Sequence, residues 1–118
     1  MGVGEEKSFA FAVKTVKTMK EVQKQQHEYD LTRQLIRSGT SIGANVCEAQ
    51  KAQSPKDFIS KLSIASKEAE ESRYWIRLLI ATEYLEEAVG NELLRDADEL
   101  IRLLTSSVKT MQRKNLNT

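Results

Sequence analysis

From Phe58 to Leu79 the chain sets Phe58, Leu62, Ala65, Ala69, Ser72, Ile76 and Leu79 at alternating steps of four and three. On a helix of 3.6 residues per turn this spacing puts all of them in one row, a seam for packing against other helices. A strand, whose side chains alternate faces every residue, would scatter the same set over both sides. A start signal precedes the row: Ser54 offers a hydroxyl N-cap, Pro55 takes the first helical position, and Asp57 puts an acid in the positive first turn. Ile64, Trp75 and Leu78 lie beside the seam and widen the apolar face, which predicts contact with two or more helices or with another subunit. This helix is expected over 54–82.

Three other segments carry the same period. The first, expected over 8–26 from a start at Ser8, offers Phe9, Val13, Val16, Met19 or Lys20, and Val22 or Gln23. The change in polarity between Gln26 and Tyr29, with Asp30 as a cap, predicts a break before a second helix over 29–52, with Leu31, Leu35, Ser38, Ile42, Val46 and Ala49 inward. Gly90-Asn91 reads as a breaker ahead of a fourth helix over 90–112, with Leu93, Ala97, Leu100 or Ile101, Leu104, Val108 and Met111. The polar tail from Gln112 is expected to fray. Four amphipathic helices on short connections imply one all-α domain spanning 1–118, an antiparallel up-and-down four-helix bundle. A length of 118 residues allows one modest core, and a single proline agrees with long helices.

Composition narrows the function classes. Lys and Arg total 18 against 17 Asp and Glu, so a net charge of +1 supplies no global field for a polyanion, and electrostatic binding needs a local patch. The single Cys47 forms no intrachain disulfide and is expected to be a buried small thiol in a reducing cytoplasm. Residues 1–7 carry neither a basic nor an apolar leader, Glu6 stands where a myristoylation signal on Gly2 needs Ser or Thr, and no apolar run approaches the roughly 20 residues that span a bilayer, so no membrane association is expected. With His27 the one histidine, the Glu-x-x-His pairs of a bundle di-iron centre are absent, and no metal or cofactor is expected. Neither a phosphate loop nor a nucleophile motif occurs. The expectation is a protein without catalytic residues, with a hydrolase using Glu48, Glu68 and Glu71 as the enzymatic alternative.

The second helix contains two glycines, Gly39 and Gly43, each costing up to about 1 kcal/mol relative to alanine inside a helix. Either a neighbouring backbone approaches closely there or the helix kinks, and the unbroken phase from Leu31 to Val46 favours close approach. Gln34, Arg37, Ser41, Asn45 and Glu48 form a polar row beside the seam, facing a charged edge of Lys61, Glu68 and Glu71 on the third helix. An interhelical network that fixes register is the structural reading of these rows. Two surfaces suit nucleic acid: the lysines Lys14, Lys17, Lys20 and Lys24, and the run Arg73-Tyr74-Trp75-Ile76-Arg77, which interleaves cations with aromatics.

The run from Leu31 to Ala49 resembles the signature of the four-helix-bundle family first described as proteins encoded in intervening sequences of bacterial 23S ribosomal RNA genes, and the similarity continues from Ser54 to Leu85 through Lys56-Asp57-Phe58-Ile59 and Glu68-Ala69. Common members read Ser-Ile-Pro-x-Asn, so Gly43 stands where they have proline. The resemblance implies an up-and-down bundle assembled as a ring of five, with relatives such as the accessory variability determinant protein of diversity-generating retroelements, a pentamer that binds nucleic acid. It places the family motif on Gln34, Arg37, Ser41, Asn45, Glu48, Phe58 and Glu68 as packing and register determinants. The expected function is therefore a homo-oligomer, with RNA or DNA bound on a repeated basic surface as one reading and a protein scaffold without nucleic-acid affinity as the other.

Overall fold

The computed structural model describes residues 2–116. They form α1 (Val3–Gln26), α2 (Asp30–Gln50), α3 (Pro55–Ala81) and α4 (Glu87–Leu116). Each helix packs on the next, α1 closes more lightly on α4, and α2 and α4 occupy opposite corners of a rod of 53 × 22 × 20 Å. Paired contacts fix the antiparallel register. Lys7 meets Glu99 while Lys14 meets Glu92, and Arg37 meets Glu68 while Glu48 meets Lys61. The fold is an all-α four-helix bundle.

Local chemistry sets the helix ends. At α3 the Ser54 Oγ accepts the Asp57 N–H at 3.0 Å, with Pro55 first in the helix. At α2 the cap is supplied by Glu28, whose carboxylate accepts the N–H groups of Asp30, Leu31 and Thr32 at 3.0–3.1 Å. Asp30, read from sequence as the cap, is instead the first helical residue. A carboxylate facing three free N–H groups also meets the positive end of the helix dipole. Glu28→Ala is therefore expected to cost about 1–2 kcal/mol, measured as a lower urea midpoint.

Two boundaries differ from the sequence reading. Helix α1 begins at Val3, and Ser8 is an interior residue, 1 % exposed, whose hydroxyl donates to the Glu5 carbonyl. Helix α4 begins at Glu87, so Gly90-Asn91 lies inside its first turns and does not break the chain. Gly90 is buried because the Ile80 side chain occupies the space a Cβ would need. The turn is taken by Glu83 at φ 66°, and Leu85 folds back into the core with its N–H on the Leu79 carbonyl at 3.2 Å. At the far end α4 continues to Leu116 where fraying was expected; residues 117–118 of that tail lie outside the described residues.

Met19, Leu35, Ile42, Ile76, Leu79, Leu93 and Leu100 are the largest fully buried apolar side chains, and Phe11 is buried with them. In α2, α3 and α4 these fall on the seams read from sequence. In α1 the phase differs: Ser8, Phe11, Thr15, Met19 and Val22 face inward, whereas Phe9 is 65 % and Val13 38 % exposed. The inward row of α1 includes two hydroxyl residues, so a purely apolar pattern selects the neighbouring row.

Candidate functional site

The buried α1–α2 seam explains the glycines. Helix α2 runs unbroken through Gly39 and Gly43. A Cβ on Gly39 would lie 3.0 Å from the Thr15 methyl carbon, and one on Gly43 would lie 3.6 Å from the Ser8 backbone. Gly39 is the tight position and Gly43 makes ordinary contact. Beside them, Ser38 and Ser72 join hydroxyls at 2.9 Å across α2 and α3, and Gln23 donates to the Thr32 hydroxyl at 2.9 Å across α1 and α2. Thr15 Oγ1 is the buried side-chain polar atom without a partner among the described residues.

The polar row on α2 is largely absorbed by the fold. Ser41 Oγ donates to the Arg37 carbonyl at 2.7 Å, and Asn45 donates to the Ser41 carbonyl at 2.8 Å. Arg37 forks between Glu68, at 3.2 Å, and Glu71, while Glu48 pairs with Lys61 at 3.1 Å. Gln34 is exposed, and Phe58 is half-buried against the core. The Trp75 indole N–H donates to Glu71 at 2.9 Å, and that bond, then Arg37, holds the Glu71 carboxyl below the usual carboxylate range. Any stability this depressed group contributes is present above the ordinary carboxylate pKa and is lost as pH falls through the lower folded value. The three carboxylates of the hydrolase reading divide between two cations: Arg37 and the Glu48 partner contact are eleven residues apart on α2, about 16 Å.

The cations singled out for nucleic acid also divide. Lys14 bridges Glu92 and Asp96 at 2.5 and 2.9 Å, and the bond to Glu92 raises its ammonium pKa most. Arg73 pairs with Asp98 at 2.9 Å. Lys17, Lys20, Lys24 and Arg77 are exposed without an ion pair among the described residues. Tyr74 is 55 % exposed and stands edge-on to half-buried Trp75 with centroids 5.0 Å apart. Cys47, expected to be buried, is exposed, because it follows core residue Val46 by one position and so turns about 100° away from it.

Two apolar strips remain on the outside. On α1, Phe9, Val13 and half-buried Val16 follow the α2-facing residues Ser8 and Thr15 and turn away from α4, which faces Lys7 and Lys14. On α3, Ile64, Tyr74, Trp75 and Leu78 sit around Glu71 on the flank opposite Arg73 and its α4 partner. The strips therefore lie on opposite sides of α2. Sequence reasoning anticipated the α3 strip but assigned the α1 strip to the core.

Among the described residues no group of His, Cys, Asp and Glu could hold a metal ion, and no helix is long and apolar enough to cross a membrane. What distinguishes the molecule is a register-locked bundle with unpartnered surfaces, which defines the class as a small helical-bundle protein. More particularly, the chain belongs to the family of 23S rRNA-intervening sequence proteins, whose family model matches residues 5–106. It is similar to a solved structure from Bacteroides thetaiotaomicron, a protein of unknown function from the S23 ribosomal protein family. The two are 47% identical with a TM-score of 0.89, covering 91% of this chain and 99% of that one. No curated protein matches the chain.

Proposed function

We propose that the protein works as a non-catalytic, cytoplasmic homo-oligomer, each subunit laying its α1 strip against the α3 strip of the next. The observation that carries this reading is the presence of two distinct exposed apolar strips on opposite flanks of α2, Phe9-Val13-Val16 and Ile64-Tyr74-Trp75. An isologous dimer needs one self-complementary patch, whereas two different patches on different sides suit a head-to-tail contact, which closes into a ring when its rotation allows. Exposed phenylalanine and tyrosine at helical spacing also fit the aromatic enrichment of interface cores. Five subunits is the number that the family resemblance implies.

The test mixes two variants. Light scattering of the native chain at micromolar concentration is expected to give a multiple of the subunit mass, while F9E, damaging one strip, and Y74E, damaging the other, each run as monomers. Mixed in equal amounts they retain one undamaged strip each and form a dimer that grows no further. A monomeric native chain ends the assembly reading. Native assembly without a mixed dimer ends the head-to-tail geometry.

A further inference from the structure

Helix α4 carries a charge pattern that the assembly does not use. Its acids Glu92, Asp96, Asp98 and Glu99 turn sideways into ion pairs with Lys14, Arg73 and Lys7. Arg95, Arg102, Lys109 and Arg113, at steps of seven, seven and four, form one outward row, exposed and without an ion pair among the described residues. Arg95 and Arg102 still feel Glu92 and Glu99, as the smallest of the influences lowering those carboxyls. Beyond Glu99 helix α4 itself carries no acid, and Glu70 of α3, which shares a groove with Lys109, makes no ion pair with it. At 1.5 Å per residue the row extends about 27 Å. Between its cations lies a shallow depression of about 330 Å³ lined by Ile101, Arg102, Thr105, Ser106, Lys109 and Arg113. The Thr105 and Ser106 hydroxyls are exposed and make no hydrogen bond within the described chain, whereas Ser107 donates to the Leu103 carbonyl at 2.9 Å.

We infer that the outward ridge of α4 binds the phosphodiester backbone of a nucleic-acid duplex. Arginine and lysine with intervening hydroxyls are the side chains that contact phosphate oxygens without reading bases. The row has no aromatic side chain, so it lacks the stacking platform on which single strands are held. A convex helix with a straight cationic edge suits a grooved rod of regularly spaced charges. An anionic bilayer fits less well, because Leu116 in the last turn is the one large exposed apolar residue on α4, leaving nothing beside the cations to insert. The ridge stands at the corner opposite α2 and away from both apolar strips, so the inference does not rest on assembly.

The test uses the full chain and measures binding to a DNA duplex, an RNA duplex, a single strand and phosphatidylserine vesicles at several salt concentrations. Binding to one or both duplexes is expected to exceed binding to the single strand and the vesicles, and the DNA and RNA arms tell the two duplex sources apart. In R95Q/R102Q/K109Q/R113Q, duplex affinity at low salt is expected to fall at least about tenfold, and the slope of log affinity against log salt to flatten by roughly three to four. K17Q/K20Q/K24Q on α1 should leave that slope unchanged. R102Q/K109Q, with helicity checked by circular dichroism, should flatten it by about two and keeps the test decisive if the quadruple variant misfolds. No duplex binding at low salt, equal binding to vesicles or single strands, or loss in the α1 variant with the α4 variants intact would each overturn the inference.

Discussion

Gly39→Leu is expected to destabilise the bundle by roughly 3 kcal/mol or more, the upper end for forcing volume into a packed core. The first added carbon would already sit 3.0 Å from the Thr15 methyl carbon, a tight contact, and the rest of the side chain would drive α1 away from α2. Thr15 cannot yield easily, because a β-branched side chain in a helix has few staggered positions and this one is fully buried. At Gly43 the nearest atoms to an added Cβ are at 3.5–3.6 Å, ordinary contact, so Gly43→Ala should be neutral or gain up to about 1 kcal/mol of helix propensity. Urea unfolding of the two variants at one protein concentration separates them. Equal midpoints would show that the α1–α2 seam tolerates the volume and that Gly39 is not held by packing.

Ile76→Ala should cost about 2–5 kcal/mol, because Ile76 is fully buried in the central seam of α3 and the helices around it can close only part of the cavity. A chain of 118 residues has a total stability of about 6–18 kcal/mol, so this one change removes a large share of it. Ile76→Val, which deletes a single methyl, should cost only about 0.5–1.5 kcal/mol. Because self-association would raise the apparent melting temperature with concentration, the comparison belongs in the F9E background, where subunits are expected to be single. A loss below 1 kcal/mol for the alanine variant would mean that the core relaxes around the cavity, contrary to its close packing.

Much of the architecture was legible because helix periodicity is a local property. The row from Phe58 to Leu79 and the Ser54-Pro55 start gave α3 almost residue for residue, and the phases of α2 and α4 followed from the same spacing. Continuity of phase through Gly39 and Gly43 was also enough to read α2 as one helix. The polar row could be placed on one face by counting, and its pairing edge, Arg37 with Glu68 and Glu71, was anticipated from the charges alone.

The remainder depended on what each helix meets. Ser8 and Thr15 are buried because α2 offers glycine surfaces against them, and no apolar pattern within α1 can report the shape of a neighbour. Gly90 looks like a breaker because glycine is a weak helix former, yet inside α4 the Ile80 side chain packs into the space a Cβ there would take. Likewise Lys14 and the lysines after it are alike as a sequence stripe, and only the position of α4 decided that Lys14 is tied to Glu92 and Asp96. The same pairing draws the acids of α4 sideways and leaves Arg95, Arg102, Lys109 and Arg113 as its outward edge. Sequence determined the helices and their inward rows, since hydrophobic period acts along one element. Tertiary structure decided which polar groups are consumed and which remain for a partner, since ion pairing and burial depend on two elements at once.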